Sequence, residues 1–250
     1  MSKIFFRICK FGLALLLAAG AAPAFAKTYS YSTLQNATDL AGDPVWAKAT
    51  FDVSAGSMIV TLINLEPKIK DVGQNISSLW FTVNNGSSIL SLSGASVAIS
   101  GNLVDIGTNG AVNSAGTLND ATVSSGASST VHWTKGQSGS QSSYFNDLNG
   151  GGQPVQTIIG PPDSNGNYST VNSSIYANGP HNPFIQNQAT FTINAPGLLA
   201  DATISNVQIG FGTAPGNNLR TVPEPGSLAL LAIGALALAL RRKSEGRNFA

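Results

Sequence analysis

The sequence predicts an all-β fold, an antiparallel β-sandwich of jelly-roll type, on three observations. Between residues 27 and 222, Ser (26), Thr (18), Asn (21) and Gly (22) fill 87 of 196 positions. All four are poorer helix formers than Ala or Leu. Apolar residues recur at every second position in several short runs, and no stretch sustains a 3.6-residue period. Gly- and Asn-rich turn signals separate those runs, the pattern of many short strands joined by tight connections.

The strand candidates follow in chain order. Ala49, Phe51 and Val53 alternate with Thr50 and Asp52, one face apolar and the other polar. Ser57–Leu65 is apolar on both faces, with Met58, Val60 and Leu62 opposite Ile59, Ile63 and Leu65, and predicts a strand buried on both sides. Leu79–Val83 and Ser88–Leu92 flank Asn84-Asn85-Gly86-Ser87, a hairpin turn signal. Ala95–Ser100, Ser129–Trp133, Val155–Ile159, Ala189–Asn194 and Thr203–Phe211 complete the set. Residues 107–128 and 134–152 are rich in Gly, Ser and Asn, and 160–187 adds Pro161, Pro162, Pro180 and Pro183, so all three are expected as long loops. The sandwich is therefore placed at 27–212, and 213–222, with Pro215, Gly216, Asn217 and Asn218, is expected as a short linker. No period of 20–50 residues repeats, which argues against a solenoid or propeller.

Only 10% of the chain is charged, and the formal net charge is +1. That sum conceals basic ends around an acidic middle: residues 27–222 carry 6 basic and 10 acidic groups. Such a distribution excludes a nucleic-acid-binding balance and an ordinary cytosolic enzyme. Residues 1–26 read as a signal peptide. Lys3, Arg7 and Lys10 precede the apolar run Phe11–Ala19, and Ala24-Phe25-Ala26 fits a small-x-small cleavage site, with Ala24 and Ala26 as its small residues. That run is too short to cross a hydrocarbon core of about 30 Å. The expected partners at this end are the Sec-type export machinery and signal peptidase. Cys9, the single cysteine, lies inside this segment, so the mature chain would hold no disulfide, thiol nucleophile or thiolate metal site.

At the other end, Pro223-Glu224-Pro225 precedes an apolar run at 226–240, which Arg241, Arg242 and Lys243 close. Pro225 suits the first turn of a helix, and Leu and Ala favour its continuation. Fifteen residues give about 22 Å of helix, and the basic arms can snorkel to the interface to make up the shortfall. The run predicts a single transmembrane helix with 27–222 outside and a short cytoplasmic tail at 244–250.

These residues resemble a known family. The Pro-Glu-Pro triplet, a short Leu/Ala/Gly helix and a basic cluster, in that order behind a signal peptide, are similar to the PEP-CTERM sorting signal of Gram-negative bacteria, also labelled the ice-binding protein C-terminal domain. The resemblance implies an exosortase, a membrane-embedded cysteine protease or transpeptidase, acting near Pro223, Glu224 and Pro225. It also implies release or attachment at the cell surface, often in bacteria that make exopolysaccharide. The extension Ser244–Ala250 departs from the pattern, in which the chain usually stops almost at once. Catalytic residues in that system belong to the sorting enzyme, so none carries over. Gly179-Pro180-His181-Asn182-Pro183-Phe184 is likewise similar to ectodomains on other PEP-CTERM proteins, and implies no activity.

Motifs for chemistry are sparse between the two ends. His132 and His181 each lack a second metal ligand at local spacing. Gly136-Gln137-Ser138-Gly139-Ser140 misses a nucleophile elbow at its last position. Asp163-Ser164-Asn165-Gly166-Asn167 reads as a turn, because Tyr168 and Ser174 stand where an EF-hand needs Gly and Glu. Gly150-Gly151-Gly152 has no Lys-Ser/Thr after it and reads as a loop. Thr190 and Thr192 are an isolated pair, unlike the repeated threonine array that ice binding needs. Trp80, Phe81, Phe191 and Phe211 are expected in the core. Trp133, Tyr144, Tyr168, Tyr176 and Phe184 lie in or beside the long loops, to pin them or to stack on sugars. The reading is an exported, non-enzymatic envelope or matrix protein with no cofactor, sorted by an exosortase. A glycan- or exopolysaccharide-binding module is the alternative, and a secreted hydrolase the third.

Overall fold

The computed structural model describes residues 26–34, 36–138, 142–148, 153–176 and 179–224. Among them are fourteen strands, one 3₁₀ turn at Val72–Gln74 and no α-helix. In chain order the strands are β1 (Lys27–Thr33), β2 (Ala47–Ser54), β3 (Ser57–Asn64), β4 (Ile76–Asn85), β5 (Ser88–Ile89), β6 (Ser96–Ile106) and β7 (Val112–Thr122). Then come β8 (Thr134–Ser138), β9 (Ser142–Asn146), β10 (Ile158–Ile159), β11 (Phe184–Gln186), β12 (Gln188–Asn194), β13 (Thr203–Phe211) and β14 (Asn218–Pro223).

Hydrogen-bonded neighbours run β10-β11-β6-β12-β3-β2-β1-β14-β13-β4-β9-β8, with β5 on β4 and β7 on β6. Ile158 also pairs with Ile76, so β10 joins the path back to β4. The sheet is mixed: β10 and β11 are parallel, while the other named ladders are antiparallel.

The core follows from alternation. Ala49, Phe51 and Val53 of β2 are buried, as are Met58, Val60 and Leu62 of β3 and Ala189, Phe191 and Ile193 of β12. Phe51 lies 5.1 Å from Phe81 of β4, and Phe145 of β9 stacks on Phe191 at 4.4 Å with planes 6° apart. Neither β2 nor β12 is a hydrogen-bonded neighbour of β4 or β9, so these rings meet across the interior. Tyr31, Phe51, Phe81, Phe145, Phe191 and Trp133 form one continuous file of ring contacts. Each such ring contributes its apolar burial, plus about 0.5–1.5 kcal/mol per well-placed pair. A second cluster of Ile69, Val104, Ile106, Ile159, Tyr168, Ile175 and Phe184 packs the proline-rich 160–187 segment down. Tyr168 Oη donates to the Gly160 carbonyl at 2.6 Å, and Asn172 N to the Lys70 carbonyl at 2.7 Å.

Several sequence expectations need correction. β3 is buried on one side only, since Ile59 is 44% exposed. Its outer apolar residues, Ile59 and Ile63, are exposed and partly exposed respectively. Residues 107–128 and 134–152, read as loops, contain β7, β8 and β9. β7 is almost entirely exposed, so it lacks the apolar alternation that marks a strand; its eight register pairs with β6 hold it instead. Ser129–Trp133 is not a strand. It is a bent segment clamped by Gln156, whose Oε1 accepts from His132 N at 3.0 Å and whose Nε2 donates to Thr130 O at 2.9 Å. Trp133 Nε1 donates to the Gln156 carbonyl at 2.8 Å, which satisfies the indole inside the core. The hairpin signal at Asn84–Ser87 holds: Asn85 pairs with Ser88 around Gly86, whose φ is 66°.

Candidate functional site: the sorting segment and the outer faces

The segment 213–222 is not a linker. Phe211 N donates to Asn217 O at 3.1 Å to close a turn, and the chain re-enters the sheet as β14. Asn218–Arg220 pair with Gln208–Gly210 of β13, and Thr221–Pro223 pair with Thr33–Tyr31 of β1. The turn residues of 213–218 suggest a linker, while β14 itself is too short and polar to show alternation.

Pro223 stands opposite Tyr31, where its missing N–H costs no ladder bond, and the next amide, Glu224 N, donates to Ser30 O at 2.8 Å. The Glu224 carboxylate accepts from Lys48 Nζ on β2 and from Ser32 Oγ on β1. Those two donors, Lys48 first, hold the carboxyl below its ordinary range. On the opposite flank β13 bulges between Ser205 and Gln208, with Asn206 at φ 52°. A cleft of about 620 Å³ opens there, lined by Asn206, Val207, Arg220, Thr221 and Pro223 among others. Pro223 and Glu224 are thus built into the domain. Ala26 is exposed just before β1. Ala24, Pro225, the run 226–240, and Arg241, Arg242 and Lys243 lie outside the described residues. Among the described residues no helix is long and apolar enough to cross a membrane.

Residues 221–243 match the family model described as the PEP-CTERM protein-sorting motif. The chain is a PEP-CTERM motif-containing protein. No curated protein and no solved structure gives a significant match to it. The PEP-CTERM motif marks an exported protein that is anchored in the membrane and then sorted to the surface, with an exosortase as the processing partner. Its matched region begins inside β14, so the folded sheet and the motif share Thr221–Pro223.

The outer faces differ from what the sequence suggests. Thr190 is not isolated: the strand register aligns Ser30, Thr50, Thr61, Thr190 and Ser100 across β1, β2, β3, β12 and β6. Register, which no single-strand pattern reveals, builds that hydroxyl row. Trp80 is half-buried rather than core, and its ring lies 4.5 Å from that of Tyr144 on β9. Tyr144 is opposite Gly136, where a Cβ would lie 2.3 Å from the tyrosine Cζ, so the glycine makes room for the ring. Trp133, Tyr168 and Phe184 are buried and pin the loops.

The acidic groups have structural partners for the most part. Asp39 Oδ1 accepts from Ala41 N and Asp43 N, both at 2.9 Å, and Asp71 Oδ1 from Gly73 N at 2.8 Å. Asp163 accepts from Asn165 N, Asn167 N and Ser169 Oγ, which lower its pKa, Ser169 most. The Asp163 loop is therefore the turn expected. His181 is buried, its Nδ1 3.0 Å from Pro154 O, and His132 is lowered by desolvation. Among the described residues no three His, Cys, Asp or Glu side chains gather to hold a metal.

Asp147 is the exception, and nothing in its sequence neighbourhood marks it out. It is 3% exposed, and neither carboxylate oxygen has a hydrogen-bond partner among the described residues. Its amide donates to Ser77 O at 2.9 Å, and Ser77 Oγ is also buried with no partner among the described residues. Burial pushes the Asp147 carboxyl well above its ordinary range.

Proposed function

We propose that the chain is a non-enzymatic, exported β-sandwich, displayed at the envelope or shed into an exopolysaccharide matrix after exosortase processing. The observation that carries this reading is the continuity of β14 with the PEP-CTERM motif: the ectodomain's sheet runs directly into its own sorting signal. Ring contacts between β2 or β12 and β4 or β9 support the two-layered architecture. Carboxylates committed to turns and to Lys48 or Lys70 support a structural rather than a catalytic use of acid groups. The decisive experiment is mass spectrometry of the mature protein from cells with and without an exosortase. Loss of 225–250 only where the enzyme is present is the expected result. A C-terminus that retains Arg241-Arg242-Lys243 in exosortase-positive cells would overturn it.

One observation favours a second reading, a glycan-binding module. The Trp80–Tyr144 pair and the hydroxyl row through Thr61 and Thr190 place aromatic and neutral polar groups on outer sheet faces, chemistry that suits sugar rings. Titration with purified exopolysaccharide would then change tryptophan emission in the wild type and not in Trp80→Ala. No response in either protein to any polysaccharide would remove this reading.

A further inference from the structure

We propose that the folded domain masks its own sorting motif, and that exosortase acts on chains in which Thr221–Glu224 has peeled away from β1. The inference rests on the exosortase reading above. An enzyme that takes a peptide into its cleft in extended form needs that peptide's backbone groups free to pair with its own. Here Thr221, Val222 and Pro223 are paired with Thr33, Ser32 and Tyr31, and the Glu224 amide is bonded to Ser30 O. The motif's acid is covered as well, since Lys48 Nζ and Ser32 Oγ both bond its carboxylate. An enzyme that reads Pro-Glu-Pro by its charge meets a carboxylate already neutralised by the substrate's own lysine.

The geometry also makes release local. The β13–β14 ladder covers Asn218–Arg220, and β13 then diverges at its bulge, which leaves the 620 Å³ cleft along the other flank of Thr221 and Pro223. The motif-proximal half of β14 is held by β1 and, on the β13 side, by the Thr221 Oγ1 bond to the Val207 carbonyl at 2.9 Å. Peeling it breaks three register pairs, the Thr221 Oγ1–Val207 O bond and the Glu224 clamp, while Asn218–Arg220 stay on β13. Segments with few partners and exposed backbone bonds occupy the low-stability end of local unfolding. Val222 is 44% exposed, so little apolar surface resists the opening. Processing is then coupled to a folded-state opening rather than to global unfolding.

The test uses the full chain in exosortase-positive cells, with pulse-chase loss of residues 225–250 as the readout. Lys48→Ala removes the charge clamp and leaves the motif intact. It is expected to speed processing by up to about fivefold, the range open to a partly exposed ion pair. Thr33→Cys/Thr221→Cys staples β14 to β1 at directly opposed positions. The single native cysteine, Cys9, lies in the signal segment, so the staple has no competing thiol once that segment is removed. The stapled chain is expected to stay uncut while each single-cysteine variant is processed like wild type. Equal processing of stapled and single-cysteine chains overturns the masking. A wild type that keeps 225–250 in the same cells overturns the sorting reading instead, which separates the two failures.

Discussion

Asp147 makes the stability of this domain depend on pH in an unusual direction. In the unfolded chain its carboxyl titrates near 3.9, whereas in the folded domain desolvation raises it well above that value. Below about pH 3.9 the group is protonated in both states and contributes no slope. Between the unfolded and the raised folded value, the folded state keeps a proton that the unfolded state has lost. Stability therefore falls as pH rises through this window, by up to about 1.4 kcal/mol per pH unit for one proton, and levels off above the folded value. Glu224 and Asp163, both lowered, act oppositely: their contributions are present above their unfolded values and fade as pH falls. The perturbation that isolates Asp147 is Asp147→Asn, which cannot titrate. Urea unfolding of wild type and variant, followed by tryptophan emission in half-unit steps from pH 4 upward, gives the difference in stability at each pH. The variant is expected to gain on the wild type as pH rises, with a limiting slope of about 1.4 kcal/mol per unit. A difference that stays flat, or one in which the wild type gains with pH, would refute the argument that burial, with no partner among the described residues, raises the Asp147 carboxyl.

Two further substitutions test the packing. Phe191→Ala removes the ring that stacks on Phe145 and meets Trp133, and is expected to cost about 3–5 kcal/mol by urea unfolding. Gly110→Ala tests the anchoring of the 160–187 segment: at φ 71° an added Cβ would lie 2.1 Å from the Tyr168 carbonyl oxygen. A loss of at least about 1 kcal/mol is expected, with faster proteolysis near Tyr168.

The legible parts of the fold were those where burial on one face writes a period of two. β2, β12 and β13 carry Phe51, Phe191 and Ile209 at alternating positions, and their spans follow the sequence closely. β7 was illegible because its partner, β6, supplies backbone bonds rather than a core to face. β14 was hidden for another reason, since Leu219 and Val222 are flanked by turn residues and the strand is recruited by β1 from nearly 190 positions upstream. The motif at Pro223, Glu224 and Pro225 was legible as an order of residue types. Its clamp was not, because Lys48 meets Glu224 only through the β1–β2–β14 register. Asp147 looked like any loop acid. Only the burial at the end of β9 distinguishes it.

If 1–26 and 226–240 are the membrane-directed segments that the sequence predicts, the register also sets which end of the domain faces the membrane in an anchored precursor. β1 starts at Lys27, directly after the expected signal segment, and β14 runs antiparallel to it, leaving the sheet at Glu224 beside Ser30. The chain before Lys27 and the chain after Glu224, which leaves beside Ser30 in the middle of β1, therefore both head toward the Lys27 end of β1. If 226–240 is seated in the bilayer, the residue or two after Glu224 span at most about 7 Å, so that end of the sheet is held against the headgroups. The β2–β3 turn at Ala55 lies at this end, because Val53 pairs with Lys27. The connection carrying Leu40 (79% exposed) and Trp46 (51% exposed) lies at the other end, beyond Thr33 and Ala47. Roughly 20 Å of strand separates the two. Since Cys9 sits in the expected signal segment, an environment-sensitive dye on Ala55→Cys or Leu40→Cys labels one site once that segment is removed. In vesicles containing a lipid-borne quencher, the dye at position 55 is expected to be quenched strongly and the dye at 40 hardly at all. Equal quenching would mean that the domain tumbles free of its anchor, which two residues of slack do not allow. Strong quenching at 55 alone makes the exposed Leu40 and Trp46 the surface that the anchored protein turns away from the membrane.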